Sequence, residues 1–234
     1  MLVLCGPYEF LADDPWLYGP YAGPEAHNTL PTAPEARTAH AAYTLLGVDA
    51  GWLSGKAAQW LKKDAGSLPR GFSMAGATPL ARTIDTAIGS IGIVFFPEGP
   101  APGKGPSPEQ ERAVLEAGRS LRGKCTLILG ISPWGYVGER DFLPKAEGVF
   151  NVILGGGEGV GFSHSLSNKA PGVLWLRPDS QGRAVNLLNI LTLPSKSTPY
   201  LWREDVTFTA NLEWLDGTYR SDPAMEKIVG KPKR

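Results

Sequence analysis

The chain has 234 residues, enough to bury a substantial core, and its 23 Lys and Arg balance 23 Asp and Glu, so no global field draws it to nucleic acid or an anionic membrane. Two cysteines, Cys5 and Cys125, exclude a disulfide framework and a zinc ribbon, and a buried inert thiol is the plain reading of each. Glycine and proline are abundant, at 29 and 21 residues; with seven tryptophans and regular aliphatic runs beside them, they imply many turns within one domain rather than disorder.

The N-terminal "MLVLCGPYEF" lacks the basic region and length of a secretory leader, and no segment approaches the ~20 apolar residues of a membrane span. Leu2 to Cys5 reads as a short buried strand stopped by Gly6 and Pro7. Leu11 to Pro34 is a proline-rich surface excursion, and long connections of this kind are often functional. Pro34 to Leu46 has helical spacing closed by Gly47, and a second helix is expected from Gly55 to Lys63.

The period then shortens. "FSMAGATPLARTIDTAIGSIGIVFF" alternates and breaks at Pro79 and Gly89, which predicts two or three strands, the last being Ile91 to Phe96. After the linker-like "PEGPAPGKGP", Ser107 to Gln110 forms a capping box with Pro108 at the first helical position, opening a helix to Leu121. Cys125 to Ile131 and Val149 to Leu154 are predicted buried strands with a short helix between them. Val173 to Leu176 and Ala184 to Leu193 are expected to pair as a closing hairpin turned at "DSQGR". "SDPAMEKIV" starts a final helix, with Asp222 as cap and Pro223 at its first position. Strands separated by helices, followed by antiparallel-looking strands, predict a layered α/β fold with a mixed sheet or two packed sheets.

The segment "NVILGGGEGVGFSHS", residues 151 to 165, ends a strand in a run of glycines, where α/β folds place their active-site loops. A dinucleotide fingerprint fails on spacing, because the third glycine after Gly157 and Gly159 would fall at Phe162. A P-loop fails because the first lysine downstream is Lys169. Two readings stay open: a nest of backbone N–H groups for an anion, or a tight, mobile loop.

The flanking residues carry a resemblance. In order, "LILGISPWGY", "GVFNVILGGGEG", "GVLWLRPDSQGRAVNLLNILTL" and "YRSDPAMEKIV" resemble the last third of the metallophosphatase domain of bacterial 5′-nucleotidases, a calcineurin-like phosphoesterase family. Towards the front, "LVLCGPYEF" resembles the strand ending in Asp-Ala-Gly-Asp. "LLGVDAGWLSGKAAQW" resembles the segment ending in Gly-Asn-His-Glu-Phe-Asp, and "GSIGIVFF" a later strand. The resemblance spans nearly the whole chain. It implies a four-layer αββα metallophosphoesterase-like sandwich, with two mixed sheets flanked by helices. Residues 1–221 would form this domain, without the first ligand-bearing strand, which in the family would precede Leu2 by roughly 25 residues. Residues 222–234 would be the start of the family's linker helix and a C-terminal tail.

The resemblance also implies a place for two divalent metals, which in that family activate a water for attack on phosphorus. At the matching positions stand Pro7, then Gly55, Lys56 and Ala57, then Pro133 after Ser132, then Gly157 and Gly159. Proline and glycine have no side-chain donor atoms, and backbone carbonyls replace imidazole and carboxylate poorly at a hydrolytic centre. The three histidines, His27, His40 and His164, lie in no matching motif. The expectation is a catalytically degenerate domain that binds a small anionic ligand or a protein partner, with no catalytic residue, metal or cofactor, no nucleic acid and no membrane span. The alternative is a phosphoesterase with a rebuilt, single-metal site using Asp13, Asp14, Glu158 or His164. The resemblance implies a periplasmic or extracellular location if a leader precedes this chain, and a cytoplasmic one otherwise.

The candidate cleft residues are Cys5, Glu9, Lys56, Ser132, Trp134, Gly156, Gly157, Glu158 and Gly159. Each has a plain structural reading beside the functional one. Glu158 is a cation ligand or a solvated loop carboxylate. Lys56 holds an anion near a helix start or is an ordinary exposed lysine. Cys5 turns its thiol into the cleft or is inert. The segment with Tyr8, Glu9, Asp13, Asp14, Trp16, Tyr18 and Tyr21 recognises a partner or pins a loop to the domain.

Overall fold

The computed structural model describes residues 1–5, 33–74, 76–87, 89–99, 104–167, 172–178, 184–194, 200–215 and 218–230. In chain order, the elements are β1 (Leu4–Cys5), α1 (Ala33–Leu46), β2 (Ala50–Leu53), α2 (Gly55–Ala65), β3 (Phe72–Met74), β4 (Leu80–Thr86) and β5 (Gly89–Phe95). They continue with α3 (Pro108–Leu121), β6 (Leu127–Ile131), α4 (Gly135–Ala146), β7 (Val152–Leu154), β8 (Phe162–Leu166), β9 (Leu174–Arg177), β10 (Ala184–Ile190), β11 (Phe208–Trp214) and α5 (Pro223–Val229).

Six strands form one mixed sheet in the order β4-β5-β6-β7-β9-β8. Its four interior strands run parallel, and the two edges, β4 and β8, run antiparallel to their neighbours. Strand alternation sends one set of side chains to each face. Ile91, Ile93, Phe95, Leu129, Ile131, Val152, Leu174 and Leu176 pack inward with Ala50 and Trp52 of β2 and Phe208 of β11. Val94, Phe96, Ile128, Ile153 and Trp175 face the other way, against Val114 and Leu121 of α3 and Phe142, Leu143 and Ala146 of α4. A third core joins Leu53 and Phe72 to Ala57, Ala58 and Leu61 of α2 and Ala36 of α1. The result is four layers: helices, sheet, a second β layer, helices.

The second β layer has two pieces. One is a parallel three-stranded sheet, β1-β2-β3, and the other an antiparallel ribbon, β10-β11. The first lies over the β4 edge, where Arg82 Nη1 donates to the Gly71 carbonyl at 3.2 Å and the Ser73 hydroxyl at 3.0 Å. The ribbon lies over the β8 edge, where the His164 and Phe208 rings meet at 5.2 Å. This corrects the expected closing hairpin. β9 pairs with β7 and β8, whereas β10 pairs with β11. Alternation identifies a strand but does not name its partner. β8 and β11 were not expected at all, because "FSHSL" and "FTANLEW" mix polar and apolar residues without a clean buried run.

Helix ends follow the sequence signals. Ser107 accepts from Gln110 N at 3.3 Å while Gln110 accepts from Ser107 N at 3.0 Å, with Pro108 in the first turn. Asp222 accepts from Ala224 N and Met225 N. α4 departs from this pattern: it opens at Gly135 in the left-handed region (φ 72°), with no side-chain cap. Its first N–H groups are satisfied from elsewhere.

Candidate functional site

The carboxyl ends of β5, β6 and β7 adjoin in the six-stranded sheet, and the glycine loop leaves β7 there. Its buried start is built into the sheet, since Gly155 N donates to the Leu176 carbonyl at 2.8 Å. Beyond Gly155 the loop turns its carbonyls inward. Gly135 N donates to the Gly156 carbonyl at 3.1 Å and Tyr136 N to the Glu158 carbonyl at 2.8 Å, so the loop caps α4. Two glycines are needed for this approach. Gly159 has φ 118°, and a Cβ there would run into Tyr136; a Cβ on Gly135 would press on the Glu158 carbonyl at 3.1 Å.

The remaining capacity of the loop is taken by Arg177, the last residue of β9, which is 2% exposed. Its Nε donates to the Val160 carbonyl at 3.0 Å. Nη1 donates to the Gly156 carbonyl at 3.1 Å, and Nη2 to the carbonyls of Gly157 and Glu158, both at 3.0 Å. Nη1 also forms an ion pair with Glu139 of α4. The Glu139 carboxylate is fully buried, accepting from Gly156 N at 3.0 Å and from Trp175 Nε1 at 2.9 Å. Burial pushes its carboxyl above the usual carboxylate range, against the opposing pull of the Arg177 charge and these hydrogen bonds.

The loop is thus closed onto the protein's own charges. Its carbonyls surround a cation of the protein, and one of its N–H groups is bound to a carboxylate of the protein.

The other candidate residues fall in different places. Ser132 is fully buried, and its hydroxyl accepts from Trp134 N at 3.2 Å. Trp134 packs against Phe96 and Phe142 and donates its indole N–H to the Pro97 carbonyl at 2.8 Å, so it belongs to the helix-side core. Cys5 is buried in the core beneath α1 and α2. Lys56 is half-buried in the first turn of α2. The anion at that helix start is the chain's own: Gly55 N donates to Glu98 Oε1 at 2.7 Å, and Ser54 Oγ accepts from Ala57 N at 3.0 Å. Gly157 and Glu158 are half-buried and Gly159 is exposed. His164 lies on β8, with Nε2 3.5 Å from Glu204 Oε2. Glu9, Asp13 and Asp14 lie outside the described residues. Among the described residues, no group of three or more His, Cys, Asp or Glu side chains gathers closely enough to hold a metal ion.

Sequence reasoning passed over Arg177, Glu139 and Glu98. A signal existed for Glu139: it shares the buried face of α4 with Gly135, Gly138, Phe142, Leu143 and Ala146, a helical spacing on which an unpaired carboxylate is rarely tolerated. For Arg177 the signal was a charge closing the fully buried strand "LWLR".

No family model matches the chain, and no curated protein matches it. Among solved structures it is similar to the NAD nucleotidase NadN of Haemophilus influenzae, with a TM-score of 0.59 at 10% identity, over 97% of this chain and 51% of that one. The fold is metallophosphoesterase-like. The chain spans about half the length of that nucleotidase, and at such identity the likeness concerns the fold alone. No helix among the described residues is long and apolar enough to cross a membrane.

Proposed function

We propose that this domain keeps the metallophosphoesterase scaffold as a binding module for a small anionic ligand or a protein segment, and does not hydrolyse phosphate esters through a dimetal centre. The observation that carries this reading is the engagement of the glycine loop by Arg177. The guanidinium already donates to the loop's carbonyl oxygens and would repel a divalent ion brought beside it. The positions that resemble the family's ligands supply Gly55, Pro133, Gly157 and Gly159, none of which offers an imidazole or carboxylate. This donor set does not fit a pair of hydrolytic cations.

The test joins metal analysis to turnover. After purification from manganese- or zinc-supplemented medium, the chain is expected to carry well under one metal ion and to leave NAD, nucleoside monophosphates and p-nitrophenyl phosphate intact. One or two tightly held metals per chain, with hydrolysis abolished by chelation, would overturn the reading in favour of a rebuilt phosphoesterase. A thermal-shift screen of phosphate, nucleotides and NAD then identifies the ligand, since a molecule that binds the native state raises its melting temperature.

A further inference from the structure

We propose that the Arg177 guanidinium is the resident cation of the loop from Gly155 to Val160, holding it in its folded form without any bound ion and keeping divalent ions off its carbonyls. The inference does not rest on the binding-module reading, and it would stand if the domain proved to hydrolyse a substrate elsewhere.

Four consecutive or near-consecutive carbonyls, those of Gly156, Gly157, Glu158 and Val160, turn towards one point. Backbone that exposes several carbonyls to one point makes a site for a hard cation. Here the point is filled from β9, about 20 residues further along the chain. A guanidinium suits it: the group is planar, carries five donors in a fixed fork, and does not lose its proton in a protein. Four carbonyls and one carboxylate use that donor set. Glu139 balances the charge, so the site is electrically closed, and the same carboxylate ties the loop through Gly156 N and β9 through Trp175. Lysine brings the charge without the fork, and methionine brings neither.

The test uses the full chain and amide hydrogen exchange read peptide by peptide. In the native protein, peptides covering residues 153–161 and the start of α4 are expected to exchange slowly, and to the same extent with or without millimolar calcium or manganese chloride. Arg177→Ala is expected to speed exchange there by tenfold or more beyond any change in the peptides of β5 and β6, the factor that ~1.4 kcal/mol of lost local stability produces. Methylguanidinium at low millimolar concentration should restore slow exchange in this variant, and sodium at equal concentration should not. If Arg177→Ala does not fold, Arg177→Lys is measured instead and is expected to loosen the same peptides alone. Wild-type protection in the loop of either variant would overturn the proposal. So would a native loop that gains protection when calcium or manganese is added.

Discussion

Glu139 and Arg177 each enter the core with a charge that only the other balances. Removing one partner of a buried pair leaves the second uncompensated, so Glu139→Ala and Arg177→Ala are each expected to lower unfolding free energy by about 3–5 kcal/mol. The double variant should lose less than the sum, because both single changes break the same pair. Urea unfolding of the four proteins reads both expectations. Tyr43 gives a second prediction at this scale. Burial, with a smaller contribution from nearby Cys5, pushes its phenol well above the usual tyrosine value. The unfolded chain therefore releases that proton near pH 10 while the folded chain keeps it. Stability from this group is complete below pH 10 and is lost as pH rises towards the folded value. Tyr43→Phe should show a shallower fall in stability between pH 9 and 11 than the native chain, measured by denaturant midpoints at each pH.

Elements were legible where the signal was local. Helix α3 follows its capping box and α5 follows Asp222, because a cap acts within three or four residues. Ser107→Ala should cost about 1 kcal/mol and lower the melting temperature without altering circular dichroism at room temperature. Strand pairing was legible only in part. β10 carries exposed Val185 and Leu187 on its outward face, so its pattern does not name a core side, and its partner β11 begins 18 residues after β10 ends. The start of α4 was also unreadable, since its cap is the loop after β7. For the same reason Gly155 accepts no larger residue: a Cβ there would overlap the Glu139 carboxylate. The same Cβ would come within 2.9 Å of Arg177 Cγ, so Gly155→Ala should destabilise the fold by about 1–3 kcal/mol, read from urea unfolding.

Across the whole molecule, indole groups stitch the layers together. Trp52 in the second β layer donates to the Phe96 carbonyl at 2.8 Å, and Trp202 donates to the Asn151 carbonyl at 3.1 Å. Trp52→Phe would keep most of the packing but leave a buried carbonyl unpaired, a loss of about 1–3 kcal/mol. Thermal unfolding followed by fluorescence and by circular dichroism should still coincide in one transition, because the same inner core joins both sheets. The ordered series of motifs along the chain made this architecture readable at an identity as low as 10% to a solved structure. The loop chemistry was not, since a glycine run looks alike whether it waits for a ligand or wraps an arginine from another strand.

The position of that arginine sets an order of assembly. Until residue 177 is in place, the Glu139 carboxylate has no counter-charge, and the loop that caps α4 lacks the donors that gather its carbonyls. Both settle once β9 lies beside β7, and this corner of the domain is expected to become native late, since contacts distant in sequence must first meet the cost of closing the intervening chain. Replacing Arg177 should therefore hasten unfolding more than it slows refolding in stopped-flow experiments.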